Sequence, residues 1–194
     1  MFERELVGGV SNTSAEEADD DMNNTTDLLV YIQTIFEKKK RLIKLYESRL
    51  KNTSSTEELE KLINEILTVG IIVRDCRLKI LEINQNLAGE MFDLREKYHQ
   101  IADKATLKAY GGENKDLLMK NFKEKLDEAV YPGKVQQYAS YMQVFLNDRR
   151  LVSRSQNLQL RQDIDTLRKE YEKEIQTAAQ ERLAELNQQT GSQS

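Results

Sequence analysis

The hydrophobic residues of this chain recur at alternating steps of three and four over most of its length. The longest uninterrupted series is Leu59, Leu62, Ile66, Val69, Val73, Cys76, Ile80, Ile83 and Leu87. Such spacing places apolar residues along one face of a helix and is typical of helices that pack side by side. The next step, from Leu87 to Met91, is four where three is expected, and Gly89 lies inside it. We therefore predict one long helix over residues 55–110 whose packing face shifts near residue 89.

A shorter helix is predicted before the long one, from about residue 27 to residue 51. Its apolar residues fall at intervals of seven: Leu29, Phe36, Ile43 and Leu50. A polar stretch follows at residues 52–55, where Ser55 and Glu58 form a capping box for the next helix. Because a loop this short makes its two helices antiparallel neighbours, we expect residues 27–110 to form an antiparallel helical hairpin.

The second half of the chain contains two strong breaks. Gly111 and Gly112 end the long helix, and Tyr131-Pro132-Gly133 interrupts the chain again. We expect a short helical corner over residues 111–133 and a second long helix over residues 134–187, with a polar interruption at 147–157. The predicted fold is all-α: an elongated helical bundle or coiled coil with two long helices, an N-terminal antiparallel hairpin and a short corner.

The composition of the chain is typical of helices that each bury only a narrow apolar stripe. The 194 residues are 39% hydrophobic and 32% charged, with a single proline and eight glycines, as in coiled-coil proteins. Residues 1–27 contain eight acidic residues and one basic residue, although the net charge of the whole chain is only −4. We expect residues 1–26 to be a disordered acidic tail and residues 188–194 a second disordered tail. Since the rest of the chain is only mildly basic, we expect no direct nucleic-acid binding.

Two apolar regions are candidates for contacts with other proteins. Around residues 66–81 the apolar positions surround much of the helix, so one partner helix cannot cover them all. Either another subunit or the chain's own last helix could complete the cover. The second region lies on the last predicted helix and is a narrow apolar stripe flanked by charges of both signs. The predicted interface residues are Ile66, Val69, Ile71, Ile72, Val73 and Leu78 in the first region and Leu160, Ile164, Leu167, Tyr171 and Ile175 in the second.

Basic residues gather in two places. One cluster contains Lys38, Lys40 and Arg41, and the other contains Arg149, Arg150 and Arg154. Each could contact an anionic surface, and the first also matches a nuclear-import signal. The alternative in both cases is a solvated helix face.

The sequence offers no catalytic constellation. The single histidine, His99, is expected to be exposed on the long helix, and one histidine cannot complete a bundle di-metal site. The single cysteine, Cys76, falls at a packing position and suits a reducing compartment. The sequence contains no motif of a phosphate-binding loop. We expect no enzyme activity, no cofactor and no small-molecule substrate.

The expected function is therefore that of a structural or adaptor subunit. We predict that the chain joins other coiled-coil subunits through its apolar stripes, in the nucleus or the cytoplasm, without secretion or a membrane span. Kinetochore and spindle complexes use rod-like helical subunits of this general shape and are the first choice. The alternative is a homodimeric helical bundle that binds anionic membrane surfaces, which the scattered basic residues disfavour.

Overall fold

The computed structural model describes residues 13–147 and 150–191, with side chains over 24–147 and 150–189. Every regular element in those ranges is an α-helix, which confirms the predicted all-α class. The helices are α1 (Thr13–Asn52), α2 (Thr56–Ile80), α3 (Gln85–Tyr110), α4 (Gly112–Asp127), α5 (Pro132–Asn147) and α6 (Leu158–Gly191).

The first helix begins earlier than the sequence predicts. It starts at Thr13, inside the tail predicted for residues 1–26, and residues 1–12 lie outside the described part. At the other end, α6 reaches Gly191, beyond the predicted end near residue 187.

The predicted helix over 55–110 is broken at residues 81–84. The backbone N–H of Asn84 donates to Ile80 O at 2.8 Å, and its side chain caps α3 by accepting from the N–H of Leu87 at 2.9 Å. The chain reverses there, so that α3 returns along α2. Thr56 Oγ1 donates to Ala109 O at 3.2 Å, which places the start of α2 beside the end of α3.

α1 completes a three-helix section with this pair. Arg49 near its C-terminus pairs with Glu65 on α2. Tyr98 on α3 donates its hydroxyl to Lys39 O, and ten residues later Lys108 Nζ donates to Leu50 O at 2.7 Å. α1 therefore runs antiparallel to α2 and parallel to α3. The core of this section contains Ile32, Phe36, Leu62, Ile66, Val73, Met91, Leu94 and Tyr98.

The second section contains α4, α5, α6 and the ends of α2 and α3. Gly111 separates α3 from α4, and its N–H donates to Leu107 O at 2.8 Å. A Cβ at Gly111 would lie 2.6 Å from that oxygen, so glycine allows the bend. Pro132 occupies the first position of α5, where a missing N–H costs nothing. The core contains Leu59, Ile63, Ala109, Met119, Phe122, Leu126, Leu146, Leu167, Tyr171 and Ile175.

The second predicted long helix is also broken. α5 ends at Asn147 and α6 begins at Leu158, so residues 148–157 form a linker, described from residue 150 onward. Asn157 caps α6 through Oδ1, which accepts from the N–H of Leu160 at 3.0 Å. The polar interruption that we placed inside a helix is thus the connection between two helices, and it allows α6 to fold back along α5.

Candidate helix-docking groove

The side of the α2–α3 pair that faces away from α1 forms a groove. On α2, Leu67, Ile71 and Leu78 follow at steps of four and seven and share one face, which we call the α2 stripe. Leu67 is half-buried, whereas Ile71 is 51% and Leu78 57% exposed. The stripe is thus the part of α2 that its own chain leaves uncovered.

The opposite wall comes from α3, where Phe92 and His99 lie two turns apart. The two helices approach closely at Gly70, since a Cβ there would lie 3.7 Å from His99 Nε2. The guanidinium of Arg77 on α2 lies 5.4 Å from the centre of the Phe92 ring. These contacts define the floor of the groove.

Two arginines in the groove lack polar partners. Arg77 and Arg95 each bury an Nε with no hydrogen-bond partner, and neither guanidinium forms an ion pair with a described residue. Arg182 on α6 also has a buried Nε without a partner, but its guanidinium donates to Asp127 O and Ala129 O. The polar capacity of the groove arginines is therefore not used inside the described part of the chain.

The linker between α5 and α6 fills one end of the groove, next to the ends of α2 and α3. It is held by Asp103, which is fully buried on α3. The Asp103 carboxylate accepts from Ser153 Oγ at 2.7 Å, Arg154 N at 2.9 Å, Ser155 N at 3.0 Å and Ser155 Oγ at 2.6 Å. We call this set of contacts the Asp103 clasp. It fixes the linker on α3 and leaves the other end of the groove open.

A cavity of about 280 Å³ lies where the linker meets α2. Its polar side chains include Glu60 and Tyr110, whose hydroxyl donates to Glu60. Burial and that hydrogen bond raise the pKa of Tyr110 above its ordinary value. Arg150 lies 3.8 Å from Glu60 and 4.2 Å from the centre of the Phe145 ring. These contacts attach the linker to the helices around it.

The structure divides the predicted interface residues into two groups. Only Ile71, Ile72 and Leu78 are exposed. The others are buried within their own chain. Ile66, Val69 and Val73 belong to the core of the three-helix section, and Leu167, Tyr171 and Ile175 belong to the core of the second section. Leu160 and Ile164 are also buried.

The predicted anionic-contact residues also differ in their surroundings. Lys38, Lys40 and Arg41 are exposed on α1. Arg150 is half-buried against Phe145, and Arg154 is half-buried, with a guanidinium N–H donating to Val152 O at 3.0 Å. Those two arginines position the linker, in contrast to the expected solvated face, and Arg149 lies outside the described residues.

The prediction of an exposed His99 is also wrong. It is half-buried between Gly70 and the linker, and burial followed by the nearby charge of Arg95 lowers the pKa of its imidazole. Cys76 is buried, and burial raises the pKa of its thiol. Sequence reasoning did not identify Arg77, Phe92 or Asp103. The residue types of Arg77 and Phe92 were the one indication in the sequence, since arginine and aromatic side chains are enriched at protein interfaces.

Comparisons of the chain with protein-family models, with curated proteins and with solved structures found no match. Within residues 13–147 and 150–191, no helix combines the length and the apolar character needed to cross a membrane. The same described residues contain no group of three or more His, Cys, Asp or Glu side chains placed to hold a metal ion.

Proposed function

We propose that this chain is a non-enzymatic assembly subunit that binds a helix of another protein in the groove between α2 and α3. The observation that carries the proposal is the α2 stripe. Ile71 and Leu78 each expose more than half of their surface on one face of α2. Large exposed apolar patches on folded proteins mark interaction sites.

The shape of the groove favours a helix as the occupant. α1, α2 and α3 form three parallel or antiparallel rods, and a fourth helix laid between α2 and α3 completes a four-helix arrangement. Residues at steps of three and four on α2 form ridges that accept the side chains of a neighbouring helix. An amphipathic helix in an apolar groove is a recurrent mode of protein recognition.

The stripe by itself contributes a moderate part of the binding energy. Fully burying a Leu or Ile side chain stabilises by roughly 1.5–3 kcal/mol, so the exposed halves of Ile71 and Leu78 contribute about 2–3 kcal/mol together. Phe92 and the hydrophobic stems of the groove arginines add further area. Stable binding then requires the groove as a whole, which is consistent with an adaptor that recognises one particular helix.

The specific assignments made from sequence stay predictions. A role in kinetochore or spindle assembly rests on general shape. Binding to anionic membranes would use the exposed bases of α1, and Lys38, Lys40 and Arg41 project in different directions around that helix. Sedimentation with anionic vesicles tests the membrane alternative directly.

The proposal is tested by substituting the stripe without disturbing the core. We expect Ile71→Asp and Leu78→Asp to keep wild-type helicity, because both side chains are largely exposed. Leu45→Asp is the matched control, since Leu45 is 51% exposed on α1 and lies outside the groove. The tagged variants are compared in their native cells by quantitative mass spectrometry of cross-linked partners, and every variant carries the same photo-activated residue at position 74, which lies between Ile71 and Leu78 on the same face of α2.

The expected result is a defined protein that cross-links at position 74, is lost in both stripe variants and is retained in the control. Partners that bind all three variants equally would refute the groove as the interaction site. Val73→Asp is not a suitable test, because Val73 is fully buried in the core of the three-helix section and its substitution would unfold the chain.

A further inference from the structure

We propose that the helix bound in the α2–α3 groove is acidic, with an apolar face on the α2 stripe and carboxylates that pair with Arg77 and Arg95. This inference rests on the proposed function and adds the chemistry of the partner. It depends on a different observation, namely the unused polar capacity of two arginines in the groove.

Both arginines are placed to receive carboxylates. Arg77 lies over Phe92 and Arg95 lies beside His99, and each buries an Nε without a hydrogen-bond partner among the described residues. A buried donor that lacks an acceptor costs free energy, and a charged one costs more. A carboxylate can pair with the Nη atoms, because neither guanidinium forms an ion pair with a described residue and its planar fork of donors matches two carboxylate oxygens.

The surrounding charges favour a negative partner. Arg74 lies on the same face of α2 as Ile71 and Leu78, so the groove contains a third guanidinium, paired with Asp75 at 3.0 Å. The α3 side contributes Glu96, whose carboxylate already accepts from Gln156 N at 2.7 Å. Because burial lowers the pKa of the neighbouring His99, that imidazole adds no charge near neutral pH. The two positive charges of the groove that form no ion pair with a described residue are therefore those of Arg77 and Arg95.

The same charges oppose a second copy of this chain as the occupant. Two α2 stripes packed against each other would bring their arginines together, and like charges across an interface cost several kilocalories per mole. A flat anionic surface is also a poor occupant. A flat surface would pair with the arginines but leave the α2 stripe beside them uncovered, whereas an amphipathic helix covers both.

The dimensions define the partner segment. The α2 stripe runs from Leu67 to Leu78, and those 11 steps correspond to about 16 Å of helix. A partner helix of about four turns covers this length. Its apolar residues follow at steps of three and four, and its acidic residues lie on the edges of that face.

The test is a selection from a library of displayed 21-residue peptides. Each peptide carries Leu or Ile at alternating steps of three and four, and its flanking positions vary among Glu, Lys, Gln and Ala. Selection uses the full wild-type chain, with peptides that also bind Ile71→Asp removed. We expect Glu to be enriched at the flanking positions, and binding of a selected peptide to weaken about tenfold or more when its glutamates become glutamine.

The two arginines are then substituted singly and together. Arg77→Gln and Arg95→Gln keep most of the side-chain volume, and Arg161→Gln is the control on an exposed part of α6. We expect each groove variant, but not the control, to weaken binding of the acidic peptide and to remove its preference over the glutamine version. Affinity for the acidic peptide should also fall with added salt, and Arg77→Lys should restore part of it.

The outcomes separate the two proposals. Enrichment of lysine, or equal binding of acidic and neutral peptides, would overturn the acidic partner while leaving a helix-binding groove. A chain that self-associates in solution through the stripe, and loses that association in Ile71→Asp, would also overturn it. Recovery of no peptide that depends on Ile71 would instead contradict the proposed function itself.

Discussion

The Asp103 clasp makes a sharp prediction about how the second section is attached to the first. Asp103 lies on α3, and its four donors all belong to Ser153, Arg154 and Ser155 in the linker, about 50 residues away in sequence. We predict that Asp103→Ala destabilises the protein by about 3–5 kcal/mol, as expected when one side of a buried, charge-assisted network is removed. That loss is a large fraction of the 5–15 kcal/mol typical of a folded domain.

The estimate follows from the geometry of the donors. A hydrogen bond to a charged group contributes about 1.5–3 kcal/mol, and four such bonds do not add in full, because an undocked linker regains water. Asp103→Asn should cost less, about 2 kcal/mol. Oδ1 accepts from one backbone N–H and Oδ2 accepts from another, so the amide group of an asparagine must face a backbone donor whichever way it turns.

The measurement is urea unfolding of the two variants, combined with hydrogen exchange of the linker amides. We expect the amides of Arg154 and Ser155 to lose protection in Asp103→Ala before the helices do. Asp93→Ala is the control, since Asp93 is exposed on the same helix and its loss should change stability by less than about 0.5 kcal/mol. A loss below about 1 kcal/mol in Asp103→Ala, with linker protection intact, would refute the clasp.

Three further predictions concern single positions. The folded state lowers the pKa of His99 below its unfolded value of 6.5, so protonation of the imidazole favours unfolding. The free energy of unfolding should therefore keep its full value above pH 6.5 and fall below that pH. His99→Gln should remove this pH dependence in urea titrations. Gly89→Ala should raise stability by about 0.5–1 kcal/mol, because no other atom lies within 4 Å of the added Cβ. Gly111→Ala should lower stability by about 1–3 kcal/mol, because its Cβ would lie 2.6 Å from Leu107 O. Equal effects of the two substitutions would contradict both predictions. Tyr171→Phe removes a buried hydroxyl that donates to a backbone carbonyl at 2.5 Å, and its thermal unfolding should show a loss of about 1–2 kcal/mol.

The periodicity of the sequence determined the fold class but not the points where the chain reverses. Ile80, Ile83 and Leu87 continue the apolar series across the turn between α2 and α3, so the pattern gave no sign of a break there. Ile83 is in fact 41% exposed. The irregular step at Gly89 led to a predicted shift in the right region, yet that glycine lies inside α3, and Asn84 caps the helix five residues earlier.

The linker and its clasp were beyond sequence reasoning for a different reason. The polar run at 147–157 was visible, but a polar run fits an exposed helix turn as well as a connection. Asp103 occurs among charged residues on a predicted helix, and only the folded chain brings it to Ser153 and Ser155. Long-range polar contacts of this kind leave no local pattern in one sequence.

The groove shows how the same pattern can be interpreted correctly in outline and incorrectly in detail. Apolar residues around most of α2 indicate that more than one helix must cover it, and the structure supplies two covers, α1 and α3. They bury the series through Ile66, Val69 and Val73, which sequence reasoning had assigned to another subunit. The α2 stripe lies on a third side, and there the chain provides only its linker and leaves Ile71 and Leu78 exposed. This third side of α2 is the one that we propose for binding a partner helix.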